Sequence, residues 1–465
     1  MIELVERAAA ADPQRLAVVT HEVQMTYGEL HARALRVADE LSSRGISRFA
    51  VLDHEAADVL ALLAGASAAG AEACLYPPAE PRETAALLGR FDHAVLVSAD
   101  ALAPDSAIVA EVVAPDDLGV CGEGPGTRSR GGPATSTAPG AARSGRPHLV
   151  LTTGTTGEPK GVRHDWERLL RGVRRVQPAP EERWLLAYGL HQFAGLQVLL
   201  HVMAAGATLV APAPRRPREG LRAMRELGVT HASATPTYWR FLLAELAGSG
   251  GPAPALRQVT LGGEAIPATV LAHLREAFPD ASVSQVYAAS EFGSTGSMRD
   301  GRAGLSLDSV ERGDQADTDL RIIDGELWVR SRTGMLGYYG EPPVEDPDGW
   351  RRTGDLVEVV DGRVVFRGRA SEVINVGGVK VHPLPIEERI GAVPGVAVAR
   401  VWGRPNPMTG AIVAVDLVLT GDADPDRTRT AVREACLDLP GAAQPRSIRV
   451  VDDITTKDSK IVRQV

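Results

Sequence analysis

A regular alternation of helix and strand patterns limits most sharply what this chain can fold into. LVERAAA and YGELHARALRVADELSSRG carry apolar residues three and four apart, the spacing of amphipathic helices. FAVLD, AEACLYPP and HAVLVSAD read as short buried strands, and the apolar, helix-length ADVLALLAGASAAG separates the first two. Strand–helix–strand order implies a mostly parallel sheet with helices on its faces. Residues 121–147, CGEGPGTRSRGGPATSTAPGAARSGRP, have no periodicity and predict a flexible surface insertion. Their GEGPG follows no strand and opens no helix, so it is not a dinucleotide fingerprint.

Alternation resumes at HLVLTTG and runs to about residue 300. From Asp319 the texture changes to short strands and tight turns: LRIIDGELWVR, GRVVFRGR and EVINVGGVKV. Beyond Arg369 the pattern suits a small α+β domain. The expected fold class is therefore α/β: a large N-terminal domain with mostly parallel, helix-flanked sheets plus a small β-rich subdomain, and a small mobile C-terminal α+β domain. The expected boundaries are 1–368 and 369–465. No internal repeat is evident.

Composition excludes some functions. At 465 residues with a net charge of −9, the chain lacks the basic surface that nucleic acid or an anionic membrane requires. Cys74, Cys121 and Cys436 are far apart and form no paired spacing, which fits a reducing cytoplasm. The opening MIELVERAAAADPQ lacks the basic-then-apolar layout of a secretory signal. Trp184–Pro214 contains no Asp, Glu, Lys or Arg, yet His191, Gln192, Gln197 and His201 interrupt it. It reads as a buried strand–loop–helix–strand run rather than a spanning helix.

The stretch LTTGTTGEPKG, residues 151–161, holds three glycines, four threonines and one lysine. Glycines let backbone N–H groups approach phosphate oxygens, while threonine hydroxyls and Lys160 add donors and charge. DWERLLRGVRRV follows as a helix with Asp165 as its N-cap and Val173 and Val176 on its apolar face. The spacing is not that of a Walker loop.

This loop resembles the signature loop of the acyl-adenylate-forming superfamily, which contains acyl-CoA ligases, peptide-synthetase adenylation domains and luciferases. MTYGELHARALRVADELSSRGI, AGASAAGAEACLYPPAEP, LHQFAGLQVLLHVMAAGATLV, LGGEAIP, YAASEFG, WRRTGDL, GRASEVINVGGVKVHPLPIE and TTKDSKIVR follow in the family's order, over nearly the whole chain. The resemblance implies a two-step reaction. A carboxylic acid and MgATP give an acyl-adenylate and pyrophosphate; a thiol of coenzyme A or of carrier-protein pantetheine then displaces AMP.

It also implies roles. Thr152, Thr153, Gly154, Thr155, Thr156, Gly157 and Lys160 would cradle the phosphates of ATP. Gly262, Gly263 and Glu264 would line the adenine and acyl site. Tyr287 would stack on adenine, with Ala288 in the same stretch and Ser290 at the phosphates. Glu291 would hold Mg²⁺, a hard cation that prefers oxygen ligands. Asp355 would accept both ribose hydroxyls, and Arg369 would reach the ribose or a phosphate. His191 would sit at the acyl pocket or gate the thiol channel. Lys460 would bridge the carboxylate and the α-phosphate, Ser371 would be the hinge, and Gly377 and Gly378 would flank the acceptor channel.

The chain departs from the family pattern at two points. The tail reads Asp458-Ser459-Lys460 where the family has Ser-Gly-Lys or Thr-Gly-Lys, so Lys457 competes with Lys460. Ser371 stands where Asp or Lys is usual. Ala187–Ala207 holds no acidic residue to pair an ammonium, which argues against α-amino acids and for an aromatic or medium aliphatic acid. The alternatives are activation of another oxyanion such as nitrite, transfer of the acyl group to an amine, and a non-catalytic nucleotide-binding protein. The expected partners are a small carboxylic acid and a carrier protein as one form of acceptor, with no nucleic acid and no membrane.

Overall fold

A computed structural model of the chain describes residues 1–52, 55–99, 111–120, 146–153, 159–212, 215–310, 317–341, 349–421, 423–454, 456–457 and 460–463. The predicted insertion, except for its last residues, and residues 154–158 of the phosphate loop, with Gly154 and Gly157, lie outside the described residues. Two compact units share the chain: Met1–Glu181 with Leu190–Leu209 and Gly334–Pro343, and Glu182–Gly189 with Val210–Thr333 and Val344–Val465.

The first unit is built on a seven-stranded sheet in the order Gly337–Tyr338, Pro159–Asp165, Pro147–Thr153, Glu72–Leu75, Arg48–Val51, Val95–Val97 and Glu111–Val113. Pairing is parallel from Pro147–Thr153 to Glu111–Val113 and antiparallel at the other edge. The helices Tyr27–Ser43, expected from its apolar spacing, and Ala56–Ala69, expected from its apolar, helix-length run, both form. They pack closely enough that a Cβ on Gly65 would lie 2.5 Å from the Val37 side chain, so glycine sets their approach. Thr26 and Glu29 close the longer helix with a capping box.

In the second unit, Arg183–Leu186, His231–Ala234, Gln258–Gly262 and Ser282–Ala289 run parallel, and Gly293–Met298 adds an antiparallel edge. The intervening helices Pro217–Glu226, Pro236–Gly248 and Ala268–Ala277 bury Tyr238, Trp239, Leu242, Leu271 and Leu274 in the core around this sheet. The β-rich stretch forms its own sheet, ordered Leu305–Ser306, Arg363–Arg369, Arg351–Val360, Glu326–Ser331, Thr318–Ile323. The C-terminal segment wraps the helices Pro383–Gly391 and Pro425–Ala435 over strands Val379–Val381, Ile374–Val376, Gly410–Leu419, Val396–Asn406 and Ser447–Val450, around Ile386, Ile390, Val401, Val415 and Val432.

One local expectation is corrected. The glycine–threonine loop does not lead from a strand into a helix. It joins two antiparallel strands, Pro147–Thr153 and Pro159–Asp165, and the helix that follows is only Trp166–Arg171. In VRHD, Val162 and His164 are buried while Arg163 points out, the period-two pattern of a strand. The helix stops at Gly172, before Val173 and Val176. Asp165 is its N-cap, its carboxylate accepting from the Arg168 N–H at 2.7 Å.

Candidate active site

The best-defined cluster of predicted site residues is set by a hairpin. Strands Arg351–Val360 and Arg363–Arg369 are joined by Asp361 and Gly362, with φ of 49° and 72°. A two-residue hairpin needs this left-handed backbone, and Asp-Gly adopts it readily. The register runs in step from Val360 opposite Arg363 to Val357 opposite Phe366. It then slips by one residue, so that Leu356 faces Gly368 and Asp355 faces Arg369. Arg367 is the extra residue of this bulge. An unbroken register would set Asp355 against Gly368, and the ion pair would not form.

The Asp355 carboxylate is held from both sides. Arg369 Nε donates to Oδ1 at 3.0 Å, and the Tyr287 hydroxyl donates to Oδ2 at 2.6 Å. Its own N–H rests on Thr353 Oγ1 at 3.0 Å. Tyr287 leans on Phe292 and Phe366, each ring centroid 5.2 Å away. Burial first, then the Asp355 charge, pushes its hydroxyl well above the usual tyrosine range, so it stays a donor. A carboxylate offers about four lone-pair positions, so acceptor capacity remains for incoming hydroxyls. The Asp355 charge raises the Arg369 guanidinium against the effect of burial, and Glu291 adds to it. Three separate sequence motifs thus converge on one acid.

Ser290 is buried and Glu291 half-buried, just beyond the end of strand Ser282–Ala289, which also carries Ala288. Among the described residues, no group of three or more His, Cys, Asp or Glu is placed to hold a metal ion alone. A single carboxylate fits a magnesium that rides on substrate phosphates, the usual mode for that ion. On the neighbouring parallel strand, Gly262 lies opposite Val286 and leads into Gly263, at φ 83°. Both motifs therefore leave the carboxyl ends of adjacent parallel strands, the edge where open α/β sheets bind ligands. Glu264 follows, and both its oxygens accept from peptide N–H groups: Oε2 from Thr237 at 3.0 Å and Oε1 from Ile461 at 3.1 Å.

In the first unit, Lys160 stands directly opposite Thr152 at the mouth of the loop hairpin, with Thr153 opposite Pro159. Its ammonium lies 4.9 Å from the Tyr338 ring centroid. Gly154, Thr155, Thr156 and Gly157 lie outside the described residues. A Cβ on the adjoining Gly161 would come within 2.7 Å of the Phe91 ring, so this glycine serves packing. His191 is half-buried just before the helix Phe193–Ala205, which carries no acidic residue.

Gly377 and Gly378, at φ 58° and 89°, form the two-residue turn between Ile374–Val376 and Val379–Val381. Ser371 lies in the single 3₁₀ turn Ala370–Glu372 that follows Arg369. In the tail, Thr456–Lys457 and Lys460–Ile461 form a short antiparallel hairpin in which Lys457 and Lys460 are direct register partners. Arg463, at the end of the TTKDSKIVR stretch, binds Glu387 at 2.9 and 2.8 Å and reaches Glu372 at 3.4 Å. That network and the bridging part of Glu264 carry no sequence signal, because their partners lie far away or are backbone groups.

Comparison with known proteins gives the following. The AMP-binding enzyme family matches residues 5–339, and the AMP-binding enzyme C-terminal domain matches residues 385–460. A fatty acid–[acyl-carrier-protein] ligase, MmaC, of Mycobacterium marinum is 27% identical over 94% of this chain and 91% of its own length. A 2-succinylbenzoate–CoA ligase of Salmonella typhimurium is 31% identical over 53% of this chain and 52% of its own. The crystal structure of the anthranilate CoA ligase AuaEII in complex with anthranoyl-AMP has a TM-score of 0.83, covering 99% of this chain and 95% of that one at 21% identity, a likeness of fold.

Proposed function

The chain belongs to the family of AMP-binding enzymes, and from that premise we propose that it activates a non-amino carboxylic acid with ATP and passes the acyl group to a thiol. The observation that carries this reading is the Asp355 clamp. An acid held by Tyr287 and Arg369 at 2.6 and 3.0 Å, with acceptor capacity left over, suits the two vicinal hydroxyls of a ribose. Ligand and clamp need little rearrangement to meet, which is how positioning lowers a barrier.

The remaining residues take roles around that anchor. Gly262 and Gly263 allow the nucleotide close backbone approach, and Tyr287 and Ala288 border the adenosine. Thr152, Thr153 and Lys160, with the glycine loop, steady the phosphates as pyrophosphate leaves. Ser290 would touch the phosphates, and Glu291 would hold the magnesium that neutralises their charge. Lys460 would stabilise the charge that builds where carboxylate meets α-phosphate. His191 borders the acid or gates the thiol. We place the domain boundary at Arg369, with Ser371 as the hinge: the C-terminal core draws its buried residues from Ile374 to Cys436. Gly377 and Gly378 would border the acceptor, either coenzyme A or carrier-protein pantetheine. Among the described residues no helix is long and apolar enough to cross a membrane.

The test is Asp355→Ala. A hydrogen bond to a charged group is worth roughly 1.5–3 kcal/mol. ATP affinity or adenylation efficiency is therefore expected to fall about ten- to a hundred-fold. An unchanged dependence on ATP would mean that the ribose is held elsewhere.

A further inference from the structure

The Glu264 carboxylate joins two segments that are distant in sequence. One oxygen accepts from Thr237 N–H, in the first turn of helix Pro236–Gly248; the other accepts from Ile461 N–H, in the tail hairpin. A negative charge at a helix N-terminus is favoured by the unpaired N–H groups there. The same helix meets the C-terminal segment through Phe241, which packs against Val398, Ile454 and Ile461. Ala268 N–H, at the start of the next helix, points to Glu388 at 3.4 Å. Arg240 lies within the electrostatic reach of Glu387, Glu264 and Glu388, whose charges oppose the lowering of its guanidinium by burial. The tail is braced from within its own segment by Arg463 on Glu387 and by Arg400 Nη1 on the Val462 carbonyl at 3.2 Å.

Ile461 is the residue after Lys460. Its N–H belongs to the peptide unit that begins at the Lys460 Cα, so whatever fixes that N–H also fixes where the lysine side chain starts. We infer that Glu264 is the positioning residue for Lys460: its carboxylate ties the tail hairpin to helix Pro236–Gly248 and holds the lysine's backbone in the pose used for adenylation. This rests on the proposed role of Lys460 in the first half-reaction. It gives Glu264 a part that is separate from lining the nucleotide site. The two N–H donors reach different oxygens, and among side chains of this length only a carboxylate offers two acceptor oxygens. The bond to the tail is also reversible, as the second half-reaction requires if the hairpin is to leave.

Glu264→Gln keeps the size and one acceptor oxygen but turns an N–H₂ toward one of the two donors. Glu264→Asp keeps the charge but is one methylene too short to span both. In each variant, acid-dependent ATP–pyrophosphate exchange should fall about ten- to a hundred-fold, the loss expected for one charge-assisted hydrogen bond. Thioester formation from synthetic acyl-adenylate should fall less than exchange does, and a cooperative thermal unfolding transition like that of the parent chain shows that each variant is folded. Glu264→Gln should add little to Lys460→Ala, since both act through one side chain. Hydrogen exchange at the Ile461 amide of the free protein should speed up in both variants. Unchanged exchange at Ile461, or equal losses in both half-reactions, would overturn the inference. If Lys460→Ala spares adenylation while Glu264→Gln still frees the Ile461 amide, the anchor stands and the assignment of Lys460 fails.

Discussion

The Asp355 clamp and the tail hairpin are held in opposite ways. Asp355 sits in the middle of a five-stranded sheet, its register fixed by an Asp-Gly turn and a bulge, and both its oxygens are occupied by protein donors. The tail hairpin is two residues on each side, and Glu264 and a small apolar patch tie it to helix Pro236–Gly248. Rigid elements suit a group proposed to meet the same ribose in both half-reactions. A few separable contacts suit a group needed in only one. The difference teaches that immobility and transience can be built into one unit by the density of polar and apolar support alone.

That comparison is broken most severely at Lys460. If it stabilises charge only during adenylation, Lys460→Ala should lower acid-dependent pyrophosphate exchange by ~10²–10³. It should largely spare thioester formation from a synthetic acyl-adenylate. Loss in both steps would make the tail as permanent a part of the site as Asp355. Next comes Asp355→Ala, whose expected ten- to hundred-fold loss should fall on ATP dependence in the first step and appear again in the use of the adenylate. Tyr287→Phe removes one neutral donor and leaves Arg369 in place. The bond is to a carboxylate, worth roughly 1.5–3 kcal/mol when nothing replaces it, and Arg369 still holds Asp355, so a loss of about ten-fold in adenylation, the low end of that range, sharpens the picture of a clamp with redundant support. Lys457→Ala, across the hairpin from Lys460, should be nearly silent in both assays. If the two lysine phenotypes are exchanged, Lys457 is the mobile lysine.

Local rules made much of this legible. Apolar spacing marked the helix Tyr27–Ser43, an apolar helix-length run marked Ala56–Ala69, and the short strands and tight turns expected from Asp319 onward include hairpins at Asp324-Gly325 and Asp361-Gly362, which both adopt the left-handed backbone. The run from Trp184 resolves as a strand, a helix and a strand, as its lack of charge and the His191, Gln192, Gln197 and His201 that interrupt it implied. Strand Pro159–Asp165 was missed because a glycine loop before a helix cap reads as strand–loop–helix, and the alternation of Val162, Arg163 and His164 is short. The pairing of Asp355 with Arg369 depends on a bulge, which sequence periodicity does not announce. Glu264 was visible as part of a motif, but its partners are two peptide N–H groups, and backbone donors leave no trace in a sequence. The same holds for Arg463, whose partners lie 76 and 91 residues away.

The most direct measurement of the central claim is ATP–pyrophosphate exchange by the purified chain across a panel of aromatic acids, medium aliphatic acids and α-amino acids, with magnesium present. The account predicts that at least one non-amino carboxylic acid stimulates exchange well above every α-amino acid. It also predicts that the stimulated exchange collapses in Lys460→Ala. Strongest stimulation by an α-amino acid would contradict the reading drawn from the absence of acidic residues in Ala187–Ala207. ATP binding with no exchange for any acid would contradict the assignment as an adenylating ligase.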